Sequence, residues 1–148
     1  MRNLIAFIAT ALFASASIAA TVNQPAPDFS ALDAISGKTV SLASLKGKTL
    51  VLEWNNFDCP FVKKFYGSNT MQELEADAAK NGVVWISVNS SAAGKEGHLA
   101  DVPTAKAAIA QHHATPAHYL LDHDGIIGKA YGAKSTPHMF VIDKNGTL

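Results

Sequence analysis

Residues 49 to 66, TLVLEWNNFDCPFVKKFY, constrain this chain more than any other stretch, because they set a strand, a turn and a helix around its single cysteine, Cys59. Thr49 to Trp54 is a run of apolar, β-preferring residues broken by one acid, Glu53, which is the pattern of a buried central strand. Asn55 to Asp58 is turn chemistry. Pro60 then falls in the first turn of a helix, where its missing N–H is harmless, with Asp58 or Cys59 as the N-cap. A thiol at that point faces unpaired N–H groups and the positive end of the helix dipole, and both favour thiolate over thiol. An arbitrary lone cysteine is more often a small buried hydrophobe. At a strand-to-helix junction followed by proline, a reactive thiol is the better reading.

The chain begins MRNLIAFIATALFASASIAA: one positive charge, an apolar core and a run of small residues. That layout predicts a secretory signal peptide over residues 1–20, cleaved near position 19 or 20, and too short in its apolar run to be a membrane span. The expectation is an exported protein, periplasmic or secreted, that meets the membrane only through this leader, with residues 21–148 forming one domain. In an oxidising compartment a single cysteine suggests a free reactive thiol or an intermolecular partner rather than a structural disulfide. Basic and acidic residues balance at twelve each. With no basic stretch either, nucleic acid is excluded as an expected partner. The only arginine is Arg2, inside the leader, so the predicted mature chain has none.

Downstream of the leader, Phe29 to Leu32 and Lys38 to Ser41 flank the turn-forming Ser36-Gly37 and predict a β-hairpin. A short helix follows Cys59 until Gly67. A second is expected from Thr70, capped by a Thr70/Glu73 box, with Met71, Leu74 and Ala78 on its inner face. Val83 to Val88 is the next buried strand, and Asn89 to Asp101 a polar loop whose Gly-Lys pair lacks the spacing of a phosphate-binding loop. Asp101 and Pro103 open a helix, His118 to Leu121 is a strand, Gly125 to Tyr131 a short helix or turn, and Met139 to Asp143 a last strand. Helices alternating with buried strands predict an α/β fold, with a central sheet covered on both faces.

Three stretches in this order, APDF at 26–29, the SLASLKGKTLVLEW approach to a Cys-Pro helix start, and STPHMFVIDKNG at 135–146, resemble the thioredoxin-like redoxins of the AhpC/TSA (peroxiredoxin-like) group. The resemblance covers essentially the whole of residues 21–148 and implies a thioredoxin-like fold with a mixed central sheet. It implies that Pro137 is a cis-proline packed beside the active-site cysteine, with Thr136 facing Cys59. It places Cys59 on the nucleophilic cysteine of a CxxC motif whose second cysteine is replaced by Val62, and puts Glu53 at a buried acid beneath the active site. Such a carboxylate, its pKa raised by desolvation, could exchange a proton with the thiol; a satisfied buried acid without that role, or an acid on the strand's exposed side, is the alternative. The group also has a further strand and a final helix beyond the position of Gly146, so the sequence is expected to be a fragment or an unusually short member, and a resolving cysteine could lie beyond Leu148.

The resemblance implies a catalytic pair, Cys59 and Glu53, and a cleft lined by Asn55, Asn56, Pro60, Thr136, Pro137 and His138, with thiol–disulfide oxidoreduction as the activity. The substrate would carry a disulfide or a peroxide, an external thiol or thioredoxin-type reductant would recycle Cys59, and no cofactor or metal is expected. Peroxidase chemistry is one alternative. Peroxiredoxins place PxxxTxxC and an arginine around the cysteine, but here the proline and threonine positions hold Leu52 and Asn56. Asn55, Asn56, Lys63 or Lys64 would have to replace the arginine, and an ammonium lacks its planar fork. A non-enzymatic binding module with an incidental cysteine is the other alternative. The histidines match no ligand spacing, and His112-His113 read as a solvated helix end.

Overall fold

The computed structural model describes residues 19–148. The predicted leader, residues 1–20, lies outside the described residues except for Ala19 and Ala20. A hairpin, β1 (Ser30–Asp33) and β2 (Thr39–Ser41), is followed by a 3-10 turn at Leu42–Leu45 and then by β3 (Leu50–Trp54). After β3 come α1 (Pro60–Gly67), α2 (Thr70–Lys80), β4 (Val84–Asn89), α3 (Val102–Gln111), β5 (His118–Leu121), α4 (Ile126–Tyr131) and β6 (His138–Ile142). The six strands form one sheet in the order β2-β1-β5-β4-β3-β6. β3, β4 and β5 are parallel, while β6 runs antiparallel against β3 and β1 antiparallel against β5.

Two helical crossovers advance the parallel strands in the same direction, from β3 to β4 to β5, so the right-handed rule places α1, α2 and α3 on a single face. Side chains alternate across the sheet and sort the core into two clusters. Leu50, Leu52, Trp54, Ile86, Val88 and Leu120 point to one face, where they pack with Phe29, Ile127 and Tyr131. Trp85, Tyr119 and Leu121 point to the other, against Phe57, Val62, Tyr66 and Met71 of the α1–α2 side. Glu53 shares that second face by register, since it lies one residue from both Leu52 and Trp54.

The sequence expectations hold for the hairpin and for the strand-turn-helix around Cys59, and two details of α2 are corrected. No capping box forms at Thr70: the N-cap is Asn69, in the left-handed region at φ 61°, and makes no side-chain cap bond. The Glu73 backbone N–H donates to the Asn69 carbonyl at 3.0 Å and closes the first turn. The inner face is also shifted. Leu74 is exposed, and Glu75 is buried beside Met71 in its place.

Candidate active site

Cys59 caps α1 in extended backbone (φ −62°, ψ 128°), immediately before Pro60 at the helix start. Its side chain is half-buried and packs against the cluster on the Glu53 face of the sheet. Across the cleft lies the loop before β6, where the Thr136–Pro137 peptide bond is cis. The Cys59 thiol donates to the Thr136 carbonyl at 3.1 Å, a contact between residues 77 apart in sequence. A thiolate cannot use that acceptor. Burial pushes the Cys59 thiol up, but the Thr136 side chain and the Val62 and Phe61 backbone N–H groups outweigh it, and the net effect draws the thiol below its ordinary range. Glu96 opposes this with its negative charge.

Beneath this surface Glu53 is completely shielded from solvent. It accepts hydrogen bonds from Asn55 Nδ2 (3.0 Å), Trp85 Nε1 (3.1 Å), Ser87 Oγ (2.9 Å) and Tyr66 Oη (3.1 Å). Burial raises its pKa; the Asn55, Trp85 and Ser87 bonds pull the other way, and the nearby Glu75 carboxylate adds to the rise. Sequence reasoning missed Glu75. The signal available was the spacing Met71, Glu75, Ala78, which is as good a helical stripe as one drawn through Leu74.

An open cleft of about 280 Å³ is lined by Trp54, Asn55, Asn56, Ser90, Ala133, Lys134, Ser135 and Thr136, among others. The structure therefore brings Asn55, Asn56 and Thr136 to one surface, with Thr136 against Cys59. Both asparagine amides, however, are engaged within the protein. Asn55 is 1% exposed; its amide nitrogen donates to Glu53 and its oxygen accepts from Tyr119 Oη at 2.9 Å. Asn56 Oδ1 accepts from the Asp58 N–H at 2.8 Å and its nitrogen donates to the Glu96 carbonyl at 3.1 Å. The two lysines weighed as arginine substitutes are engaged as well, Lys63 with Asp58 at 3.5 Å and Lys64 with the Phe65 ring.

His138 sits opposite Trp54 in the β3–β6 register, its Nδ1 accepting from the Lys134 N–H at 3.4 Å and its ring against Phe140. Val62, at the second-cysteine position of the CxxC pattern, is fully buried, whereas Phe61, two residues after Cys59, is 66% exposed. Contrary to expectation, His112 is no simply solvated helix end, since its ring stacks on Phe57 with centroids 4.4 Å apart. Among the described residues no three His, Cys, Asp or Glu side chains are grouped to hold a metal ion.

A parallel three-strand core, antiparallel strands on either side of it, and a helix-capping cysteine facing a cis-proline loop define a thioredoxin-like protein. Residues 21–148 match the Redoxin family, and the chain belongs to it. The fold is similar to an uncharacterized conserved protein from Geobacillus kaustophilus, at 26% identity and a TM-score of 0.75, over 86% of this chain and 66% of that one. The chain thus spans just under two thirds of that relative's length. It is similar also to a secreted disulfide oxidoreductase of Mycobacterium tuberculosis, homologous to E. coli DsbE, at 27% identity and a TM-score of 0.61, covering 80% and 78% of the two chains. The thioredoxin domain of a thiol-disulfide oxidoreductase from Bacteroides vulgatus shares the fold at 19% identity and a TM-score of 0.65, over 86% and 84%. No curated protein matches the sequence.

Proposed function

We propose that this redoxin is an exported thiol–disulfide oxidoreductase acting through Cys59. The observation that supports it best is the position of the thiol: half-exposed at the start of α1, opposite Thr136, with its pKa drawn down. The Cys59 thiolate attacks one sulfur of a substrate disulfide, forming a mixed disulfide and releasing the substrate's other sulfur as a thiolate that takes up a proton. Residues 1–148 hold no second cysteine. A thiolate from outside these residues attacks the Cys59 sulfur to free the substrate, and a second equivalent restores Cys59. Two external thiols become a disulfide, and the substrate disulfide becomes two thiols. Glu53 serves as the buried proton site on the Cys59 face, and the cis-proline loop with the exposed Phe61 receives the substrate. Export is supported by the amino-terminal leader pattern and by the secreted relative. No helix among the described residues is long and apolar enough to cross a membrane.

Stopped-flow comparison of a small disulfide and hydrogen peroxide as oxidants tests this reading. Disulfide exchange is expected to be fast and lost in Cys59→Ser, because exchange depends on thiolate fraction and access. Peroxide is expected to react at about the rate of a free thiolate, since no arginine lies at the sulfur among the described residues and the Asn55, Asn56 and Lys63 side chains already bond Glu53, Glu96 and Asp58. Alkylation at neutral pH should outpace that of a thiol with the ordinary pKa of about 8.5. Peroxide consumption far above the free-thiolate rate would overturn the exchange assignment in favour of a peroxidase.

A further inference from the structure

The hydroxyl of Tyr66 lies between two buried carboxylates. It is 3.1 Å from Glu53 Oε2 and 2.8 Å from Glu75 Oε1, and Glu53 and Glu75 are 0% and 1% exposed. Both acids are on the Cys59 face of the sheet, Glu53 on β3 and Glu75 on α2. Neither has a basic partner among the described residues, whose ion pairs are Lys63–Asp58, Lys80–Asp77 and His118–Asp33.

A phenol carries one proton and can donate it to one acceptor. With both carboxylates ionised, the Tyr66 oxygen would present lone pairs to one of them at hydrogen-bonding distance, and two uncompensated charges would face each other in the core. That arrangement is costly in a low-dielectric interior. With one extra proton every contact is satisfied. Glu53, with three further donors in Asn55, Trp85 and Ser87, takes the charge and accepts from Tyr66. Glu75 takes the proton on Oε1 and donates it to the Tyr66 oxygen. Its other oxygen, Oε2, accepts from the backbone N–H of Thr115 at 2.5 Å and from the Thr115 hydroxyl at 3.0 Å. Thr115 is itself exposed.

We propose that Glu53 and Glu75 hold a single proton between them across the Tyr66 hydroxyl, which makes Glu75 a second member of the proton site on the Cys59 face and extends that site to the surface at Thr115. When the Glu75 proton passes to the Tyr66 oxygen, Tyr66's own proton passes to Glu53 Oε2. Glu53 is then the protonated acid and the negative charge has moved from Glu53 to Glu75, with only O–H bonds broken and formed. The remaining titratable groups facing this cluster are Tyr119 of β5, bonded to Asn55, His112 at the end of α3, whose ring meets Tyr66 edge-on at 6.4 Å, and Cys59 itself. The desolvation that raises Glu53, Glu75 and Tyr66 alike is consistent with a retained proton.

The link to Cys59 rests on the reading of Glu53 given above; the sharing of the proton does not. Infrared difference spectroscopy of the whole protein at pH 7 should show one buried protonated carboxyl. That signal should vanish in Glu75→Gln and equally in Glu53→Gln, because either amide leaves the surviving acid ionised and bonded to Tyr66. No such signal in the wild type, or one that survives Glu75→Gln, overturns the shared proton. The wild-type Cys59 alkylation profile should depart from a single titration where the shared proton is lost, whereas Glu75→Gln should follow one titration. A profile unmoved by Glu75→Gln overturns the extension to the thiol. Absent disulfide exchange in a protein that keeps the carboxyl signal would sink the exchange activity alone.

Discussion

Asp33 on β1 and Glu53 on β3 are carboxylates of one sheet with β5 and β4 between them, each wholly shielded from solvent, yet their surroundings drive them in opposite directions. Burial raises both. At Asp33 that effect is outweighed by Ser36, Tyr119, His118 and Ile35, and the acid is held below its ordinary value. The Ile35 and Ser36 N–H groups of its own turn and the Ser36 hydroxyl at 2.7 Å converge on it, with the Tyr119 N–H at 2.9 Å and His118 at 3.1 Å. Glu53 also accepts several donors, but its near neighbour through Tyr66 is a second acid rather than a potential cation. Exposure therefore does not set protonation here; the balance between desolvation and the hydrogen bonds each carboxylate collects does, with the Glu75 charge adding to the rise at Glu53. The first arrangement locks a hairpin, and the second retains a mobile proton.

The comparison breaks most visibly at Asp33. Asp33→Ala leaves the Tyr119, Ile35 and Ser36 N–H groups without their acceptor and should cost about 3 kcal/mol or more, read from urea unfolding. Tyr66→Phe removes one hydroxyl and should cost about 1–2 kcal/mol by the same measurement. pH sharpens the contrast. Asp33, lowered from 3.8, contributes stability that is present above that value and lost as pH falls through its folded-state value. Glu53 and Glu75, raised from 4.5, contribute stability that is full below 4.5 and lost as pH rises through their folded-state values. Unfolding free energy should accordingly decline as pH rises from 4.5, and Glu75→Gln should flatten that decline. The smallest effect is expected at the exposed pair Lys63–Asp58, where both side chains are 54% exposed. Lys63→Ala should change stability by no more than about 0.5 kcal/mol, although it removes a full ion pair.

The fold was legible where period and punctuation agree. The strand at Leu50–Trp54, the Pro60 helix start and the hairpin around Gly37 each have a local physical cause, and each forms where the sequence places it. Thr136 could be placed against Cys59 only through the family resemblance, since nothing local joins residues 77 apart. Two features were not legible for a physical reason. Asn69 rather than a Thr70 box begins α2 because a left-handed residue ends the link from α1, and asparagine tolerates that conformation. Glu75 was hidden because a buried acid breaks an apolar stripe unless its partners are known, and those partners, Tyr66 and Thr115, lie 9 and 40 residues away. The asparagines after β3 were placed correctly in the cleft wall, but the direction of their amides depends on Tyr119 and Glu96, which no spacing reveals.

The antiparallel placement of β1 against β5 and of β6 against β3 also orders events in time. The Asp33–His118 contact joins residues 85 apart, so the hairpin, though among the first elements to leave the ribosome, has no sheet to dock on until β5 has been made. β3 likewise waits for β6 on one of its sides. At roughly 5–20 residues per second of synthesis, Cys59 spends several seconds as an ordinary thiol on an unfinished chain. The part of its activation that comes from the Thr136 side chain arrives only once residue 136 has been made, so the nascent polypeptide crosses its most aggregation-exposed stage with a less sharpened nucleophile.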